Sequence, residues 1–74
     1  MIESKQVLEG LVAYLIEARA HFTVTPLRDR INQRSVYAHE VEIHDIIDVV
    51  RLAEYCRDKG IGVQYDEAGW SFHK

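Results

Sequence analysis

Three groups of residues in this chain have types and spacings that could do chemistry. The first is His39, Glu40, Glu42, His44, Asp45 and Asp48, a mixture of imidazoles and carboxylates. If a helix opened a turn before Asp45, His44 and Asp48 at i and i+4 would share a face and His39 could approach them, giving nitrogen and oxygen donors for a metal. No recognised ligand spacing is matched, so the expectation is a solvated acidic helix start beside surface histidines, with no metal and no cofactor. The second group is Arg28, Arg30 and Arg34 with Asn32 and Gln33 between them, residue types that clamp phosphate and read base edges. The same letters make an ordinary solvated face, and an acidic partner protein would suit them equally. On a helix, Arg30 and Arg34 would share a side while Arg28 would point about 160° from Arg30. The third group is Asp48, Arg51, Leu52, Tyr55 and Lys59. Leu52 and Tyr55 have the character of an apolar interface centre, with the three charged residues as its polar rim; alternatively, the two pack on the strand before them.

Catalysis is not expected. Ser4, Ser35 and Ser71 lie in no nucleophile motif, and no glycine-rich loop is present to cradle phosphate. Cys56 is the only cysteine, which excludes an intramolecular disulfide and a Cys-pair metal site and leaves it as a small core residue.

These groups must be positioned by few elements. A chain of 74 residues makes one domain, 1–74, and hides only about 60% of the surface that its unfolded form exposes, so a second chain would help it. The apolar fraction of 47% places it among compact globular proteins. The longest apolar run, LVAYLI at 11–16, falls well short of the roughly 18 residues of a membrane span, and MIESKQ lacks the basic start of a secretory signal; the expected location is cytoplasmic. Charge is uneven. Residues 1–38 hold five Lys or Arg against four Asp or Glu, a net +1, and residues 39–74 hold four against eight, a net −4.

Glu3 or Ser4 starts a first helix that runs to about Ala20, interrupted only by Gly10. Val7, Leu8, Leu11, Val12, Tyr14, Leu15, Ile16 and Ala18 cover most of its circumference, more than one apolar face. The expectation is a homodimer in which Val7, Leu11, Tyr14 and Ala18 meet a second chain; the alternative is a monomer whose C-terminal helix and hairpin clamp this helix from both sides. HFTVT (21–25) reads as a short edge strand. Thr25 and Pro26 then read as cap and first residue of a short helix, PLRDRINQR, with Leu27 and Ile31 inward. VYAHEVEI (36–43) alternates and is expected to be extended. The next helix, 44–60, is expected to be capped by Asp45 and closed by Gly60, with Ile46, Ile47, Val49, Val50, Ala53 and Cys56 inward and Asp45, Asp48, Leu52, Tyr55 and Lys59 outward. Residues 61–74 read as a β-hairpin whose Trp70 and Phe72 cover the core and whose Gly69 takes a positive φ.

The order helix, short strand, helix, helix, hairpin resembles the winged helix-turn-helix superfamily, with FTVT as first strand, PLRDRINQ as second helix, DIIDVVRLAEYCRDKG as third and IGVQY/WSFHK as wing. That resemblance implies an α+β domain of three helices, a short first strand and a C-terminal β-hairpin, and a third helix laid against DNA. The third helix here carries Asp45, Asp48, Glu54 and Asp58 against Arg51, Arg57 and Lys59, which would repel a phosphate backbone. The expected function is therefore a small non-enzymatic regulatory or adaptor protein acting through protein contacts. A DNA-binding transcriptional regulator using the arginine patch is the alternative, and nucleic-acid mimicry by the acidic half a third.

Overall fold

The computed structural model describes residues 1–31, 35–67 and 69–74. In chain order they form α1 (Lys5–Glu17), β1 (His21–Arg28), β2 (Val36–Asp45), α2 (Val49–Lys59), β3 (Gly62–Asp66) and β4 (Gly69–His73). The strands make one antiparallel sheet in the order β1-β2-β4-β3, and both helices lie on one side of it.

That arrangement corrects the winged-helix-like expectation: the chain is α+β, but with two helices and a four-stranded antiparallel sheet rather than three helices and a hairpin. The error lies at PLRDRINQR. Pro26, Leu27 and Arg28 continue β1, paired as Pro26 with His39 and Leu27 with Ala38, and Ile31 is 97% exposed rather than inward. A nine-residue helix is marginal alone, whereas the ten-residue partner β2 offers the whole of β1 a ladder. Pro26 is tolerated because β1 is an edge strand, where a missing N–H need not break the ladder. The expected extended stretch 36–43 is present and runs on to Asp45.

Alternation along the strands sorts the sheet into two faces. Phe22, Val24, Val41, Ile43, Val63, Trp70 and Phe72 belong to the core side, where Val41, Ile43 and Phe72 are fully buried with Leu11 and Leu15 of α1 and Leu52 and Cys56 of α2. The chain start joins them. Ile2 is buried and exchanges backbone hydrogen bonds with His39, donating at 2.7 Å and accepting at 2.9 Å, while Lys74 N–H donates to the Met1 carbonyl at 3.0 Å. Thr23, Glu40, Glu42, His44, Gln64 and Ser71 take the other face. There the Thr23 hydroxyl lies 2.9 Å from His44 Nε2 and the Ser71 hydroxyl donates to the Gln64 carbonyl at 3.4 Å.

Each helix is fixed by local chemistry. Ser4 caps α1, its hydroxyl accepting from Val7 N–H. Asp45 was expected to cap the second long helix, but it ends β2 opposite His21, and Asp48 is the cap, accepting from Arg51 N–H at 3.0 Å. The inward face also differs from the expected one. Leu52 is fully buried with Cys56, while Ile47 and Val50, expected inward, are 86% and 68% exposed. Gly60 closes α2 at φ 69°, a left-handed conformation that suits glycine. The C-terminal hairpin is half of the sheet and not a free wing, since Ile43 and Glu42 of β2 pair with Trp70 and Ser71 of β4. Gly69 makes this junction possible: at φ 124°, a Cβ there would lie 2.5 Å from the Ile43 carbonyl oxygen. Among the described residues no helix is long and apolar enough to cross a membrane.

Candidate functional site

The solvent side of the helix layer is cleft between α1 and α2. The cleft holds about 510 Å³ and is lined by Tyr14, Glu17 and Ala18 of α1 and by Ile47, Asp48, Arg51, Glu54, Tyr55 and Asp58 from the start and one flank of α2. Positions 48, 51, 55 and 58 recur every three or four residues, so they form one stripe along the helix. Its floor is a stacked aromatic pair, Tyr14 on Tyr55, with ring centroids 4.5 Å apart and planes 14° apart. Such pairs are worth about 0.5–1.5 kcal/mol beyond the area they bury, enough to set how the two helices lie together.

Gly10 belongs to this arrangement. A Cβ at Gly10 would sit 3.0 Å from the Tyr55 hydroxyl, so the bare backbone of α1 gives that hydroxyl its place. Glycine inside a helix costs about 1 kcal/mol relative to alanine; here it lets Tyr55 lie flat across the neighbouring helix.

The electrostatics are one-sided. Four carboxylates, Glu17, Asp48, Glu54 and Asp58, surround the tyrosines, with Arg51 as the one cation lining the cleft. Both phenols are harder to ionise than usual. Burial raises the Tyr14 pKa first, with the nearby Asp48 charge adding to it, and burial likewise raises that of Tyr55. The tyrosines are therefore neutral over the physiological range and present half-buried rings and hydroxyls to a ligand. Ile47, 86% exposed at the mouth, adds an apolar contact. Such a surface suits a cationic side chain with an aliphatic stem: the stem lies on the rings and the charge reaches the carboxylates.

The sequence-derived groups fare unequally. Of Asp48, Arg51, Leu52, Tyr55 and Lys59, the cleft gathers Asp48, Arg51 and Tyr55. Leu52 is in the core and has no surface to offer, and Lys59 lies at the far end of the helix pair, in a smaller recess with Gln6, Val7 and Gly10. Of the residues assigned to self-association, Leu11 is fully buried, Val7 packs against the core, and Tyr14 and Ala18 line the cleft; they face this chain's own core and second helix. Arg28 ends β1 and Arg30 follows it in an exposed stretch, so the two do not lie on a helix; Asn32, Gln33 and Arg34 fall outside the described residues.

The histidine and acid group is dispersed. His39 lies on the core side of β2, Glu40, Glu42 and His44 on the open side, and Asp48 caps α2. Among the described residues no three His, Cys, Asp or Glu side chains stand close enough together to hold a metal ion. Cys56 is buried, and desolvation pushes its thiol up to about 11, so it is an inert core group.

Glu17, Ile47, Glu54 and Asp58 are the cleft residues that sequence reasoning did not assign to a site. A signal was available: the stripe 48, 51, 55, 58 is readable by spacing, and Gly10 in an otherwise strong helix marks a close approach. The chain matches no protein-family model, no curated protein and no solved structure.

Proposed function

We propose that this protein is a small non-enzymatic regulator or adaptor that works by binding a basic segment of another protein in the cleft between α1 and α2. The observation that carries the reading is the composition of that cleft: a stacked Tyr14–Tyr55 floor, four carboxylates, a single arginine and an exposed isoleucine. A lysine- or arginine-bearing helix or extended strip would lay its aliphatic stems on the rings, place its charges against Glu17, Glu54 and Asp58, and cover Ile47 with an apolar residue. Rim charges of this kind mainly steer encounter and choose the partner, while the half-buried aromatic centre holds it.

The test is an amide and aromatic NMR titration with an amphipathic peptide rich in arginine and leucine. The reading expects the largest shifts at Tyr14, Arg51, Glu54 and Tyr55, lost when salt is raised. Shifts that spread over Thr23, Glu40 and Glu42 of the open sheet face, or that survive Glu54→Lys with Asp58→Lys, would place binding elsewhere.

A further inference from the structure

The two edges of the sheet differ in how they meet solvent. β1 carries Pro26 and slips register near both ends, between His21 and Phe22 and between Leu27 and Arg28. Proline and irregularity of that kind discourage an edge from pairing with another chain. β3, at the opposite edge, has neither: its five residues keep a regular register with β4 from Gly62 to Asp66.

A second observation falls on the same side. Tyr55 turns toward α1 and Leu52 and Cys56 point down to the sheet, so steps of about 100° carry Val49, Ala53, Arg57 and Val50 to the flank of α2 away from α1. That flank lies over the β3 side. Val49 shares a recess with Tyr65 and Trp70, Val50 is 68% exposed and Tyr65 is 70% exposed. An open hydrogen-bonding edge therefore runs beside the exposed apolar side chains of Val50 and Tyr65, with His44, Asp45 and Glu67 also lining the recess.

We infer that β3 pairs with β3 of a second copy of this chain, antiparallel about a two-fold axis at Gln64, so that two four-stranded sheets become one of eight with both helix layers on the same side. The sequence of the strand is self-complementary in that register. Gln64 meets its own copy, Val63 meets the partner's Tyr65 in an aromatic and β-branched pair, and Asp66, the only charged residue of β3, falls opposite Gly62 rather than opposite itself. A stable interface hides about 800 Å² on each partner, more than a five-residue strand offers. The flank of α2 has to contribute: Val49 and Val50 supply apolar surface, Arg57 stands between Ala53 and Val50, and the small Ala53 lets the two copies of the helix approach. The cleft between α1 and α2 opens on the other side of α2, so this pairing leaves it free and does not rest on its proposed role.

The test is light scattering behind a sizing column on the full chain, combined with a cross-link. Residues directly opposed in an antiparallel pair have Cα atoms about 4.5–5.5 Å apart, within the span of a disulfide, and Gln64 is exposed while the native Cys56 is buried. The expected results are a native dimer, a covalent dimer from Gln64→Cys under mild oxidation, none from Thr25→Cys on the opposite edge, and a folded monomer from Val50→Lys with Tyr65→Lys. Should that double variant fail to fold, the Gln64→Cys cross-link decides alone. A native chain that elutes as a monomer at every concentration, or a dimer in which Gln64→Cys does not cross-link, would overturn the inference.

Discussion

The core side and the open side of the sheet are built from alternate residues of the same strands, and they treat polar groups in opposite ways. On the open side the Thr23 hydroxyl pairs with His44 and the Ser71 hydroxyl donates to the backbone carbonyl of Gln64, and Glu40 and Glu42 stand beside them. On the core side no polar or charged residue is buried among those described, and the charges reappear only beyond the helices, where four carboxylates crowd one arginine around two tyrosines. The difference teaches where a partner has something to gain. The open face has polar partners of its own, whereas the cleft combines unbalanced charge with half-buried aromatic surface.

The most severe way to challenge the core side is to hollow it. Leu52→Ala should cost about 2–5 kcal/mol, as for other buried leucines, which for a domain this small threatens folding; a change below about 1 kcal/mol in chemical denaturation would mean that Leu52 faces solvent after all. Alkali offers a second route to the same side. The unfolded Cys56 thiol ionises near 9.0 and the folded one near about 11, so its contribution is intact below pH 9 and is lost as pH rises through 11. The expected loss from this thiol is about 2–3 kcal/mol over that window, read as the difference between the native chain and Cys56→Ala, because Tyr14 and Tyr55, whose pKa values are also raised, add an alkaline loss common to both. A smaller effect separates two aspartates: Asp48→Ala should lower stability by about 1 kcal/mol through the lost cap of α2, and Asp45→Ala by much less, as thermal melts of the two would show. Smallest of all, Glu40→Gln on the open face should stay within about 0.5 kcal/mol, and a larger loss would mean that the open face carries structure which its exposure conceals.

Much of the local structure was legible in the sequence, and most of the global arrangement was not. Ser4 as a helix start, Gly60 as a left-handed stop, the strand character of 36–43 and the hairpin 61–74 follow from short-range chemistry, and each stands in the fold. Thr25–Pro26 misled because the dipeptide is equally at home at a helix start and in an edge strand, and only the partner strand ten residues later decides between them. Placing the cap at Asp45 instead of Asp48 counted Ile46 and Ile47 into the helix, which drew the apolar stripe to the wrong side and put Leu52, the centre of the expected contact surface, outward. The doubly apolar first helix suggested a second chain, yet this chain's own sheet and α2 take up Leu11, Leu15 and Tyr14. Of the site, Asp48, Arg51 and Tyr55 were readable from one helical stripe. Their neighbours Glu17 and Tyr14 come from another helix, and spacing within a sequence cannot say that two helices lie side by side.

The most direct measurement is the affinity of a fluorescent arginine-rich amphipathic peptide for three chains: the native protein, Glu54→Lys with Asp58→Lys in the cleft, and Glu40→Lys with Glu42→Lys on the open face. The two double variants change net charge by the same amount. Recognition in the cleft predicts that the first weakens binding by about tenfold or more and that the second stays within about threefold of native. Equal weakening by both would reduce the effect to overall charge and contradict a specific site between α1 and α2.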